Sequence, residues 1–171
     1  MTDALATIFV LEGADGTGKT TFIENRIRAD VLAGLPEPRF IHNTSADKDL
    51  PGSLFKHYRA QLLDAVEFRA NGISTYIDRG FLSELIYGRL YRGKALLTER
   101  QVRTLERLAV EADIVLLGLT ADLSIRRDRI LARGESWDNK QAFVGAFYSQ
   151  HFRERGKFWI TADSSSAPSS N

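Results

Sequence analysis

A chain of 171 residues with 43% hydrophobic content is long enough for one domain with a sizeable core and leaves little room for a second. Its 23 basic and 22 acidic residues nearly cancel to a net +1, which excludes a global field for nucleic acid while leaving local basic clusters open. The absence of cysteine excludes disulfides and thiolate metal sites, no apolar run reaches membrane-spanning length, and Met1 to Thr7 lacks a basic stretch followed by an apolar one, so a soluble, cytoplasmic protein is expected.

Thr7 to Leu11 (TIFVL) is a short, β-rich apolar run of the kind a buried parallel strand needs. It leads into GADGTGKT, Gly13 to Thr20, which fits GxxxxGK[ST]. In that pattern the glycines let the backbone turn several N–H groups onto one phosphate chain, and the following helix adds its positive end. The residues expected around the phosphates of ATP are Gly13, Ala14, Asp15, Gly16, Thr17, Gly18, Lys19, Thr20 and Thr21, with Lys19 on the β/γ-phosphates and Thr20 on Mg²⁺. The fixed positions should coincide by accident in only on the order of one in a hundred chains of this length. The helix that must follow is present: Lys19 to Ala33 carries Phe22, Ile23, Ile27, Val31 and Leu32 at helical spacing.

Gly34 to Pro38 breaks that helix, Arg39 to His42 reads as a second strand, and Asn43 to Pro51 is a polar loop. Ser53 to Ala70 describes an amphipathic helix closed by Asn71-Gly72, and Ser74 to Ile77 a third strand ending on Asp78-Arg79. Phe81 to Tyr91 is helical, and Thr98 to about Glu111 is a further helix opened by the capping-like series Thr98, Glu99, Gln101. Ala112 to Leu119 is the clearest core strand. Asp122 to Arg133 and Asp138 to Arg155 are helices, Lys157 to Thr161 a closing strand, and Asp163 to Asn171 a Ser-rich tail expected to be disordered. The whole therefore reads as one domain over residues 1–162: an α/β, P-loop NTPase-type three-layer sandwich, with a parallel sheet of about five strands, helices on both faces and a short lid.

In such a sheet ligands bind at the carboxyl ends of the strands, which puts Asp78 on the same edge as the phosphate loop. There it can hold Mg²⁺ or take a proton from an attacking hydroxyl; the alternative is a strand-end Asp capping the next helix.

Three motifs carry a family resemblance. LEGADGTGKT, with an acidic residue inside the loop at Asp15, IDRGFLSELIYG, with Asp78, Arg79, Ser83 and Tyr87, and RILARGE, with Arg129, Arg133 and Gly134, resemble the thymidylate kinase and deoxynucleoside kinase group of P-loop phosphotransferases. A fourth match keeps the Phe-x-x-x-Arg spacing at Phe55 and Arg59 with which that family stacks on and reads a thymine-type base; an ordinary core Phe and surface Arg is the alternative. The resemblance implies an ATP- and Mg²⁺-dependent kinase acting on a thymidine-type nucleoside or nucleotide. Phe55, Arg59, Ser83 and Tyr87 would lie at the acceptor, Asp15 and Asp78 would orient the acceptor hydroxyl and the metal, and Arg79 would sit near a phosphate. A transition-state arginine would come from Arg127, Arg129 or Arg133, unless these form a solvated basic face.

The departures concern the acceptor. HNTSADKDLPGS stands where members that phosphorylate free thymidylate carry an Arg-Glu-Pro-Gly-Gly type loop, Gly88 replaces an amide, and Ser136-Trp137-Asp138 stands where a further lid Arg is expected. Small viral relatives also resemble the chain and phosphorylate the hydroxymethyl group of hydroxymethyluracil within phage DNA, and an open site with basic runs at Arg126 to Arg133 and Arg153 to Lys157 would suit that polymer. In that case the setting is the host cytoplasm. A regulatory NTPase with no acceptor is a third reading, and the long exposed helices leave room for a homodimer.

Overall fold

The computed structural model describes residues 5–44 and 53–166. The stretch 45–52, within the loop that departs from the family pattern, and the tail beyond 166 lie outside the described residues.

The elements follow the expected alternation: β1 Ile8–Glu12, α1 Lys19–Leu32, β2 Arg39–His42, α2 Leu54–Ala70, β3 Thr75–Asp78, α3 Phe81–Arg92, α4 Glu99–Glu111, β4 Val115–Thr120, α5 Leu123–Ala132, α6 Asn139–Glu154 and β5 Ile160–Asp163. The strands form one parallel sheet in the order β2-β3-β1-β4-β5, so β1 and its phosphate loop lie at the centre, where the order of connection reverses.

Side-chain alternation divides the core. Ile8 and Val10 face one way with Ile77 and Leu116, under the apolar stripes of α2, α3, α4 and α6; Leu11, Tyr76, Leu117 and Leu119 face the other way, against Ile23 of α1. The helix ends obey local chemistry. Ser53 caps α2 by accepting from Lys56 N at 3.3 Å, and Thr98 with Gln101 forms a reciprocal capping box on α4. Among the described residues no helix is long and apolar enough to cross a membrane.

The last strand begins later than expected. Trp159 is drawn inward, 3% exposed, where its Nε1 donates to the buried Glu106 at 2.8 Å and its ring packs 5.2 Å from Phe152. Residues 155–158 therefore turn, and pairing with β4 starts at Leu117↔Ile160 and runs to Thr120↔Asp163. This also corrects the start of the tail: Asp163 belongs to β5, and Ser164 and Ser165 make defined hydrogen bonds.

Candidate active site

The phosphate loop is shaped by its glycines. Gly16 and Gly18 adopt φ of 80° and 83°, where a side chain is strained, and a Cβ on Gly16 would stand 2.7 Å from the Arg126 carbonyl. Each carbonyl from Gly13 to Gly18 has a partner. Lys19 Nζ donates to Gly13 O at 2.8 Å and Ala14 O at 3.1 Å, Arg126 Nε to Asp15 O at 2.9 Å, and Arg129 Nη1 to Gly16 O at 3.1 Å. Ser164 Oγ donates to Thr17 O at 2.8 Å, and Phe22 N to Gly18 O at 3.0 Å. Thr17 N–H turns back to Ala14 O, and its hydroxyl donates to the same carbonyl at 2.8 Å. Among the described residues the amides of Asp15, Gly16 and Gly18 have no protein acceptor. With carbonyls held and amides left over at a helix N-terminus, the loop has the geometry to receive an anion. Thr20 is exposed and Thr21 half-buried at the first turn of α1.

Lys19 is itself buried, 7% exposed. Burial, and then the Arg79 guanidinium, push its ammonium down to about 8.

Across from the loop stands a second group, built by the end of β3 and the start of α3. Arg79 takes the left-handed conformation, φ 64°, and its guanidinium pairs with Asp15 Oδ1 and lies 4.9 Å from the centre of the Tyr87 ring. Tyr87 OH donates to Asp15 Oδ2 at 3.2 Å. Burial alone would raise the Asp15 carboxyl, but Arg79 and Lys19 outweigh it and hold it below the ordinary range. Tyr91 stacks on Tyr87 with centroids 5.8 Å apart, and Lys140 Nζ lies 4.9 Å from the Tyr91 ring, so the stacked ring pair is flanked by a cation at each end.

Asp78 is 4% exposed at the end of β3. Its Oδ2 pairs with His42 Nδ1 at 3.0 Å, whereas Oδ1 is buried with no hydrogen-bond partner among the described residues. The alternative role as cap of α3 is excluded by who does cap it. Glu12, fully buried, accepts from Leu82 N at 2.8 Å and Ser83 N at 3.0 Å. The same carboxylate accepts from Ser83 Oγ at 2.6 Å and Tyr148 OH at 2.9 Å, which places the Ser83 hydroxyl in an internal network rather than open to an acceptor. Beside Asp78, Asn43 and Gln61 exchange two amide hydrogen bonds of 3.1 Å, and Asn43 Nδ2 also donates to Arg79 O at 2.6 Å.

The structure thus gathers Asp15, Lys19, Arg79 and Tyr87, with Asp78 coupled electrostatically to Lys19. It separates the arginines of α5. Arg129 reaches the loop, whereas Arg127 is exposed and Arg133 is an exposed C-cap paired with Glu135 at 2.8 Å. Phe55 is half-buried against the core and Arg59 exposed. Sequence reasoning missed Glu12, His42, Asn43, Gln61, Arg126 and Ser164. A signal existed for Arg126, which shares the buried stripe of α5 with Ile130 at spacing four.

A metal would fit sparsely. Among the described residues no cluster of three or more His, Cys, Asp or Glu could hold one, but the Thr20 hydroxyl and the orphaned Asp78 Oδ1 are hard oxygen donors of the kind Mg²⁺ takes when phosphates complete its shell.

No family model matches the chain. It is 29% identical over 134 residues to YorR, an uncharacterized SPbeta prophage-derived protein of Bacillus subtilis strain 168, over 77% of this chain and 72% of that protein. The crystal structure of Bacillus subtilis YorR in complex with phosphorylated GDP superposes with a TM-score of 0.70 at 23% identity, covering 92% of this chain and 85% of that one. Deoxyadenosine kinase from M. mycoides, solved with its products dCMP and dCDP, superposes with a TM-score of 0.50 at 14% identity, covering 92% and 90%. At these identities the likeness is one of architecture: the chain has the fold of the P-loop nucleotide kinases.

Proposed function

We propose that the chain is a phosphotransferase that moves the γ-phosphoryl group of ATP to a nucleoside- or nucleotide-type acceptor, with a thymidine-type base as the leading candidate. The observation that carries this reading is the buried Asp78 Oδ1, without a partner among the described residues, on the sheet edge it shares with the phosphate loop. A loop of this kind would serve any NTPase. A desolvated carboxylate oxygen without a partner is costly unless a ligand completes it, and an acceptor hydroxyl or the metal would do so.

In this reading the loop amides and Lys19 hold the β- and γ-phosphates, Lys19 exchanging the Gly13 and Ala14 carbonyls for phosphate oxygens. Mg²⁺, when bound, neutralises charge on the transferring group. The acceptor oxygen attacks the γ-phosphorus, the bond to the β–γ bridging oxygen breaks, and a hydroxyl acceptor's proton passes to Asp78. Asp15, fixed by Arg79 and Tyr87, orients the acceptor sugar, and Arg79 stands by the transferred or acceptor phosphate. Of Arg127, Arg129 and Arg133, Arg129 is the one best placed to add positive charge at the transferring group. The Asn43–Gln61 pair, together with Phe55 and Arg59, supplies polar and stacking groups for the base.

A second reading, an acceptor base held within DNA, draws support from the Arg79–Tyr87–Tyr91–Lys140 series, because stacked rings flanked by cations suit a strand leaving the site. One assay separates these readings. Labelled ATP and Mg²⁺ are incubated with thymidine, dTMP, GDP, hydroxymethyl-dUMP or hydroxymethyluracil-containing DNA. Acceptor-dependent transfer is the expected result. ATP hydrolysis indifferent to every acceptor would mark a regulatory NTPase and end the kinase reading.

A further inference from the structure

Arg126 has no role in the transfer described above, yet it is the most deeply buried cation among the described residues, 2% exposed. Its guanidinium makes two hydrogen bonds, both to backbone carbonyls: Nε to Asp15 O at 2.9 Å and Nη2 to Gln141 O at 2.8 Å. The Trp137 ring lies 5.7 Å away. No carboxylate is in ion-pair contact with it among the described residues, and the Asp15 carboxylate is already engaged by Arg79 and Tyr87. Burial pushes its proton affinity down, outweighing the opposing influence of Tyr87 and Asp15. An arginine does not shed its proton in a protein, so among the described residues Arg126 is a buried positive charge with no carboxylate of its own in contact, only the nearby Asp15 that Arg79 already holds.

The fold makes room for it. A Cβ on Gly145 of α6 would stand 2.0 Å from Arg126 Nη1, so the helix carries its glycine, unfavourable in a helix interior, where the guanidinium lies. The α5 backbone at Arg126 also abuts Gly16.

Resting on the phosphate-loop reading above, we propose that Arg126 is a positioning residue that charges the phosphate loop from behind, its missing counter-ion being the polyphosphate of the bound nucleotide. The coupling runs through one peptide unit. A guanidinium on Asp15 O draws electron density from the Asp15–Gly16 peptide, and the Gly16 N–H on its other side, which has no protein acceptor, becomes a stronger donor to phosphate. Arg126 never touches the ligand. It fixes the orientation of that peptide and raises the local positive potential where bulk water cannot screen it.

Inorganic tripolyphosphate tests this without a base or an acceptor. Calorimetric affinities are compared for the intact chain, Arg126→Gln, which retains a donor for Asp15 O but no charge, Arg126→Lys, which retains the charge, and Arg153→Gln, an exposed charge loss on α6. Arg126→Gln should bind tripolyphosphate about tenfold or more weakly and orthophosphate nearly as the intact chain does, while Arg126→Lys stays within about threefold and Arg153→Gln within about twofold. An Arg126→Gln affinity within twofold of the intact chain overturns the proposal. So does an equal loss in Arg126→Lys, which would mean that the shape of the side chain matters and its charge does not. If Arg126→Gln fails to fold, the intact protein still decides: the Arg126 Nε–H resonance, assigned by its absence from Arg126→Lys, should shift on titration with tripolyphosphate, and an unmoved resonance refutes the coupling. An intact chain that binds neither tripolyphosphate nor ATP overturns the phosphate-loop reading itself.

Discussion

Lys19 gives the phosphate loop a proton-linked signature. In the protein without nucleotide its ammonium rests on two neutral carbonyls, buried and close to Arg79, and is pushed down to about 8 from an ordinary 10.5. On the proposed function, a bound triphosphate would replace those carbonyls with anionic oxygens and return the ammonium to its ordinary range or above. At pH 9 the free site is then about 10% protonated and the bound site nearly fully so, and nucleotide binding should take up about 0.9 proton; the uptake falls to about 0.5 at pH 8 and about 0.1 at pH 7. The terminal phosphate, with a second pKa of about 6, is already ionised across this range. Tyr87, raised by its burial, keeps its proton and contributes nothing. Calorimetry of ATP binding in pairs of buffers with different ionisation heats measures the uptake directly. Lys19→Arg, charged throughout, should bind with no uptake at pH 9. The same shift fixes the sign for stability. Below pH 8 the folded and unfolded chains both carry the proton, and the folded chain bears the whole cost of burying it. Between about 8 and 10.5 the folded chain binds fewer protons, so unfolding free energy should rise, by at most about 3 kcal/mol. Binding heats at pH 9 that are independent of buffer, or an equal uptake in Lys19→Arg, would refute the reasoning.

Three further perturbations test the acceptor side and its support. Asp78→Asn should lower turnover by about a hundredfold or more while nucleotide affinity, measured by equilibrium titration, stays within about threefold, because a proton or metal role acts in the transition state; an unchanged rate would remove Asp78 from the chemistry. Glu12→Ala leaves the Leu82 and Ser83 amides buried without their acceptor, and the Ser83 and Tyr148 hydroxyls with only each other, and should cost about 3 kcal/mol in chemical denaturation, whereas a cost below about 1 kcal/mol would show that water replaces the carboxylate. Phe55→Ala should raise the acceptor KM by an amount worth about 1–3 kcal/mol with ATP binding unaltered, and a lowered melting temperature with intact acceptor kinetics would assign Phe55 to the core alone.

Much of the fold was legible because its determinants are local. Strands β1 and β4 are apolar runs bounded by breakers, several helices carry recognisable caps, and a glycine loop of this pattern is built from consecutive residues, so a contiguous motif specifies its geometry. The exception in the fold follows the same logic. Lys157 to Thr161 has the composition of a strand, but Trp159 serves a partner 53 residues away, Glu106, and that tertiary contact moves the start of β5 to Ile160. Local propensity yields where a buried carboxylate needs a donor.

The acceptor side was harder to read because its contacts span the chain. His42 meets Asp78, and Asn43 meets the Arg79 carbonyl, each across 36 residues; both depend on the β2–β3 register, which places His42 opposite Asp78. Arg126 reaches Asp15 across 111 residues, which no motif encodes. Helical geometry explains why it was passed over in favour of its neighbour. Arg126 and Ile130 lie about 40° apart around α5 and share its buried side, whereas Arg127 is turned about 100° away from Arg126 into solvent, although the two residues are chemically identical. A motif can say that a lid helix needs arginines. Which of them meets the loop is decided by the side of α5 that packs inward, and that packing is possible because Gly16 and Gly145 leave space for the Arg126 backbone and side chain that a Cβ at either position would fill.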